Sequence, residues 1–247
     1  MKIRGGKGGD KELVTHDNYP DIAEIMDGLA SKFGDKIPPN VEVNYESTNY
    51  FCRFSDGAII ANPQTIRESK AVGMWSLGHE YAHHHQKFPR IQQHSMRITA
   101  AAMMLAGALL HHFTKTPDVA LMTNQLALTG KILLTLMPIL AVTHTVMRRD
   151  EFLADAVAFE LLPEKEKKEV LPQLQKDLAK GINSPLPEVF LTHPRHENRI
   201  EALQKGTYKQ QAIDAIARVN AINKGELELS WVERLLSRKN PKSEQHR

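Results

Sequence analysis

Cysteine is almost absent: Cys52 is the only one in 247 residues. One thiol excludes an internal disulfide framework and any zinc site built on several thiolates, and it suits a reducing compartment. Aromatic residues make up only 6% of the chain, so a core has to be packed mainly by aliphatic side chains. No charge of one sign dominates, since 32 Lys and Arg stand against 29 Asp and Glu. The one basic cluster, Arg238-Lys239-Asn240-Pro241-Lys242, has no basic recognition helix beside it. It reads as a solvated tail over 238–247 and not as a nucleic-acid surface. The Gly-rich start from Met1 to Gly9 lacks the apolar core of a secretory signal, so residues 1–18 are expected to be a flexible lead-in. No internal repeat is evident.

What remains is an ordinary globular composition over 19–237, expected to form a single domain. Ile22, Ile25, Met26, Leu29 and Phe33 recur at helical spacing, and Gly34 stands where such a helix would end. Val41, Val43 and Tyr45 alternate with polar residues. Tyr50 to Phe54 and Ala58 to Ala61 follow, on either side of Asp56-Gly57. That pattern predicts a small antiparallel sheet with a hairpin at Asp56-Gly57. Beyond Pro63 the pattern is helical, with helices expected at about 69–87, 147–162, 164–180, 197–204, 208–223 and 230–237.

Two apolar stretches, Ile98 to Leu110 and Ile132 to Met147, stand between the first two of these helices, flanked by Arg97 and Arg148-Arg149. Each is shorter than the ~20 residues a membrane span needs, and Lys115 and Lys131 interrupt the region between them. The insertion at about 98–147 is therefore expected to be an apolar helical hairpin. Burial in the core, an oligomer contact and membrane insertion all fit it.

The chemistry begins at His79-Glu80-Tyr81-Ala82-His83. On a helix, residues four apart share a face, so both imidazoles reach one metal ion and Glu80 stands beside them as a general base. A third ligand is then required. Gln86 and Pro89 occupy the places where a metzincin would continue with Gly and His, which excludes that class. His84 and His85 rotate off the ligand face, toward solvent or a supporting role. Glu151 is the best third ligand. Asp155, one turn on, is placed to orient a ligand imidazole, and small Ala154 permits close helix approach. Read alone, Asp150 and Glu151 are better explained as an ordinary acidic helix start.

The order of motifs goes further. HExxH, an apolar insertion, Arg148-x-x-Glu151-x-x-Ala154-Asp155 and then Thr192-His193-Pro194 resemble the HtpX and type I CAAX prenyl protease family of zinc metallopeptidases, over roughly Asn49 to Leu203. The resemblance implies a zincin-like, mainly α (α+β) core. It implies one Zn2+ per chain on His79, His83 and Glu151, with Asp155, Arg148 and Arg199 around the ligands. It also implies a role for His193 near the reacting carbonyl and a substrate edge strand at Tyr50, Phe51 and Cys52. Members commonly carry apolar segments between the two zinc motifs. The chain departs from the pattern at Met147, where a Ser usually stands, and at Met74-Trp75-Ser76, where acidic residues are usual.

The expected function is that of a zinc endopeptidase acting on protein or peptide substrates, with Glu80 activating water and His193 stabilising the oxyanion. The alternative is a non-catalytic, zinc-stabilised membrane or protein-binding module, against which an intact Glu80 argues. A cytoplasmic or membrane-associated location with a cytoplasmic active site is expected. Membrane contact would run through 98–147, and no nucleic-acid partner is expected.

Overall fold

The stripe Ile22, Ile25, Met26, Leu29 and Phe33 is the buried face of helix α1 (Pro20–Phe33) in the computed structural model, which describes residues 12–45, 51–52, 57–85, 119–178 and 194–228. Pro20 sits in the first turn, where its missing N–H costs nothing. Gly34 closes the helix with φ 72°, a left-handed cap that only glycine adopts without strain. Its N–H donates to Ser31 O, and Asp35 N–H donates to Ala30 O at 2.9 Å.

Four short strands form one sheet in the order β1-β2-β4-β3: β1 (Glu12–Leu13), β2 (Val41–Val43), β3 (Phe51–Cys52) and β4 (Ile59–Ala61). The outer pairs are antiparallel, whereas β2 and β4 run parallel. The sheet is therefore mixed, which corrects the expectation of an antiparallel one. Instead of folding back between its neighbours, β3 lies outside β4, so β4 returns beside β2 in the same direction. Strand β4 is covered on both faces, which is why Ile59, Ile60 and Ala61 are apolar in succession without alternation. Strand β3 is left at the edge and packs against helix α3.

Asn62 caps α2 (Pro63–Glu68), its Oδ1 accepting from Gln64 N–H at 2.9 Å. Helix α3 (Lys70–His85) carries the HExxH run. Helix α4 runs unbroken from Val119 to Leu161, so the second apolar stretch and the segment bearing Glu151 are one helix, not the two expected. It stops before Pro163. Helices α5 (Glu164–Leu178), α6 (His196–Lys205) and α7 (Lys209–Asn223) follow. The first apolar stretch, His193 and the segment 230–237 lie outside the described residues. Among the described residues no helix is long and apolar enough to cross a membrane.

The chain divides into two compact units, Met1–Lys87 with Phe152–Ile182 and His196–Arg247, and Phe88–Glu151 with Asn183–Arg195. In the first, α1, β2, β4, α3, the last turns of α4, α6 and α7 share one core. Met26, Phe33, Ile59, Leu77, Tyr81, Ala154 and Val157 lie within it. Each large aliphatic or aromatic side chain so buried contributes about 1.5–3 kcal/mol. Lys32 of α1 donates to the carbonyl of Leu161, satisfying an end group of α4. In the second unit the described helix is α4 from Val119 to Glu151.

Candidate metal centre

Helix α3 has to approach α4 closely, and its small residues permit this. A Cβ on Gly78 would lie 3.3 Å from both Cα and Cβ of Ala158. Ala154 is fully buried, so neither helix presents bulk at the crossing. The next residue of α3, His79, is thereby set deep in the fold, together with Glu80.

His79 and His83 stand one turn apart, and their Nε2 atoms are 3.0 Å from each other. Two Zn–N bonds of about 2.0–2.1 Å at a tetrahedral angle would place such nitrogens about 3.3 Å apart. One ligand atom each from His79, His83 and Glu151 lie within 4.8 Å of one another. Glu151 lies on α4, one turn before Asp155. Two imidazoles and one carboxylate form a donor set that suits a catalytic zinc and leaves a position for water.

Asp155 lies behind His79. Its Oδ1 is 2.8 Å from His79 Nδ1, so the imidazole proton belongs on Nδ1 and the Nε2 lone pair faces the centre. Arg199, on α6, grips the same carboxylate with both arms: Nε to Oδ2 and a terminal nitrogen to Oδ1, each at 2.6 Å. Burial of Asp155, at 1% exposure, acts to raise its pKa. The Arg199 charge and hydrogen bonds, then the His79 contact, outweigh this and hold the carboxyl below its ordinary value. Asp155 therefore stays ionised, and His79 keeps a negative partner.

The remaining expected residues fall out differently. Arg148 donates to Thr145 Oγ1 at 3.2 Å on its own helix. Phe51 and Cys52 are the edge strand β3, while Tyr50 and His193 lie outside the described residues. His84 is exposed, with Nδ1 3.1 Å from Gly57 O. His85, in contrast, is mostly covered. Its Nε2 is 2.7 Å from Asp35 Oδ2, and its ring stacks on Phe33 at 4.7 Å.

Two features were not read from the sequence. Asp35 also accepts from Tyr81 OH at 2.5 Å and from Asn223 Nδ2 at 2.7 Å, joining α3 to the end of α1 and to α7. No local pattern announces that cluster, because its members are far apart in the chain. Trp75 packs on His79, with ring centroids 5.7 Å apart. Its signal was present: it stands four residues before His79, on the same face of α3.

The family model described as peptidase family M48 matches residues 17–207. Neither a curated protein nor a solved structure matches the chain.

Proposed function

The chain belongs to peptidase family M48, and from that premise we propose that it is a zinc-dependent endopeptidase hydrolysing peptide bonds of protein substrates. The observation that carries this reading is the convergence of His79, His83 and Glu151 beside Glu80. Those three residues would hold one Zn2+ per chain. Zinc, when bound, supplies Lewis acidity, bringing the pKa of water toward neutrality and polarising the scissile carbonyl.

The chain's own residues do the rest. Glu80 takes the proton of the attacking water and delivers it to the departing amine. Asp155 holds His79 in its ligating tautomer, and Arg199 keeps Asp155 charged and in place. His193 is assigned the developing oxyanion, and Arg148 steadies the carboxylates one turn away. An extended substrate segment would add to the edge strand beginning near Tyr50 and including Phe51 and Cys52. Backbone hydrogen bonds would then give affinity with little demand on sequence. The edge position of β3 and its packing against α3 support that placement.

The test pairs metal content with proteolysis of an unfolded protein substrate. Glu80→Gln is expected to keep about one zinc per chain and lose at least ~100-fold in activity, the scale of general acid–base catalysis. Glu151→Ala is expected to lose the metal itself. Full proteolysis by Glu80→Gln would remove the mechanism, and unchanged zinc in Glu151→Ala would remove that ligand.

A further inference from the structure

Resting on that reading, we infer that Trp75 is a positioning residue of the metal centre, holding Arg199 in the orientation that fixes Asp155 and, through Asp155, His79. The indole touches both ends of this chain of contacts. The Arg199 guanidinium carbon lies 5.6 Å from the Trp75 ring centroid, and the His79 ring lies 5.7 Å from it at a tilt of 39°. Between those ends, Arg199 binds Asp155 through two nitrogens and Asp155 meets His79 Nδ1. The four side chains thus close a ring: indole, guanidinium, carboxylate, imidazole.

A bidentate guanidinium–carboxylate pair is rigid within its plane but still free to rock out of it. The Arg199 guanidinium lies over the indole ring, which attracts the cation electrostatically and restrains that motion. The pair it supports is well shielded, with the Arg199 side chain 14% exposed and that of Asp155 1%. An aliphatic residue at position 75 would fill space without attracting the cation. A phenyl ring would keep much of the attraction, because tryptophan is the strongest of the aromatic partners and phenylalanine remains one. Position 75 is then a determinant of how tightly the centre holds its metal, although Trp75 is not itself a ligand.

The experiment is zinc titration of the full chain after chelator stripping, in competition with a chromophoric chelator, with thermal unfolding of each metal-free variant run alongside. Trp75→Leu is expected to weaken zinc binding about tenfold, the lower end for residues that orient a metal ligand. Trp75→Phe is expected to stay within about threefold of the parent chain, a rescue that separates the aromatic contact from simple packing. In an Arg199→Lys background, which loses the planar fork, adding Trp75→Leu is expected to cost less than about twofold more. With Trp231 replaced by Phe, the emission of Trp75 should change at one zinc equivalent and saturate there. Parent-like affinity in Trp75→Leu overturns the inference, and so does a tenfold loss that persists in the Arg199→Lys background. A Trp75→Phe chain as weak as Trp75→Leu overturns it as well. If the parent chain takes up no zinc, both this inference and the peptidase reading fall. If zinc binds normally while Glu80→Gln remains fully active, only the peptidase mechanism falls.

Discussion

Helix α3 carries two carboxylate–histidine pairs, and their difference separates a candidate ligand from a strut. Asp155 meets His79 through Nδ1 and leaves Nε2 turned toward His83. Asp35 meets His85 through Nε2, and the His85 ring is stacked on Phe33. Asp155 is also held by a permanent cation, Arg199, and its own side chain is only 1% exposed. Asp35 draws on neutral donors, Tyr81 and Asn223, at a more open position. The same pair of residue types therefore serves two ends. Which ring nitrogen the carboxylate takes decides which one keeps the lone pair: Nε2, turned toward His83, in His79, and Nδ1 in His85.

The largest expected effect comes from breaking the first pair. Asp155→Ala leaves Arg199 without its carboxylate in a buried setting, a loss of about 3–5 kcal/mol. It also frees the tautomer of His79, so zinc content should fall with stability. Denaturant unfolding and elemental analysis of one sample check both. A variant as stable as its parent would show that the buried pair is not what secures α6 to α4.

The α1 stripe, its Gly34 stop and the HExxH turn were legible because each is a local pattern: residues three and four apart, or one residue whose backbone freedom is needed. Glu151 and Asp155 were legible as an i, i+4 pair, and the motif order tied them to His79 and His83. The parallel pairing of β2 with β4 was not, because it depends on where β3 goes, and alternation along one strand does not state which neighbour it meets. Nor was the unbroken α4, since a short apolar run followed by a charged one looks like two helices when only periodicity is read. The Asp35 cluster joins residues 35, 81, 85 and 223, separations across which a single sequence carries no register.

A smaller effect sharpens the contrast. Asp35→Ala removes the shared acceptor of Tyr81, His85 and Asn223, but it strands no permanent charge. About 1–3 kcal/mol is expected to be lost, the cost of leaving buried donors without their partner. Zinc per chain should stay at the parent value, because His85 is not a ligand in this arrangement. Metal loss as deep as that of Asp155→Ala would erase the distinction between the two pairs.

The smallest effect is the most specific. Tyr81→Phe keeps the buried ring and its 5.2 Å stack on Phe33 but removes the hydroxyl that donates to Asp35. In the parent chain, burial of Asp35 acts to raise its pKa. The His85 and Tyr81 hydrogen bonds, with the charges of His85 and His84, outweigh this and leave the carboxyl below its ordinary value. Tyr81 is itself pushed upward, first by burial and then by Asp35, so it remains a protonated donor throughout the neutral range. A carboxyl depressed on folding contributes stability above its unfolded pKa of about 3.9, and that contribution is lost as pH falls through the folded value. Removing the Tyr81 donor moves the folded value back toward the unfolded one, so less of this stability exists to be lost. The two proteins should differ by about 1.5 kcal/mol at pH 7, the lower end for a hydrogen bond to a charged acceptor. That gap should narrow steadily as pH falls below about 4, through the depressed folded value, and Asp35 is protonated. Denaturant midpoints of both proteins across that range give the answer: a gap that does not change with pH would mean that the hydroxyl acts by packing and not through the Asp35 charge.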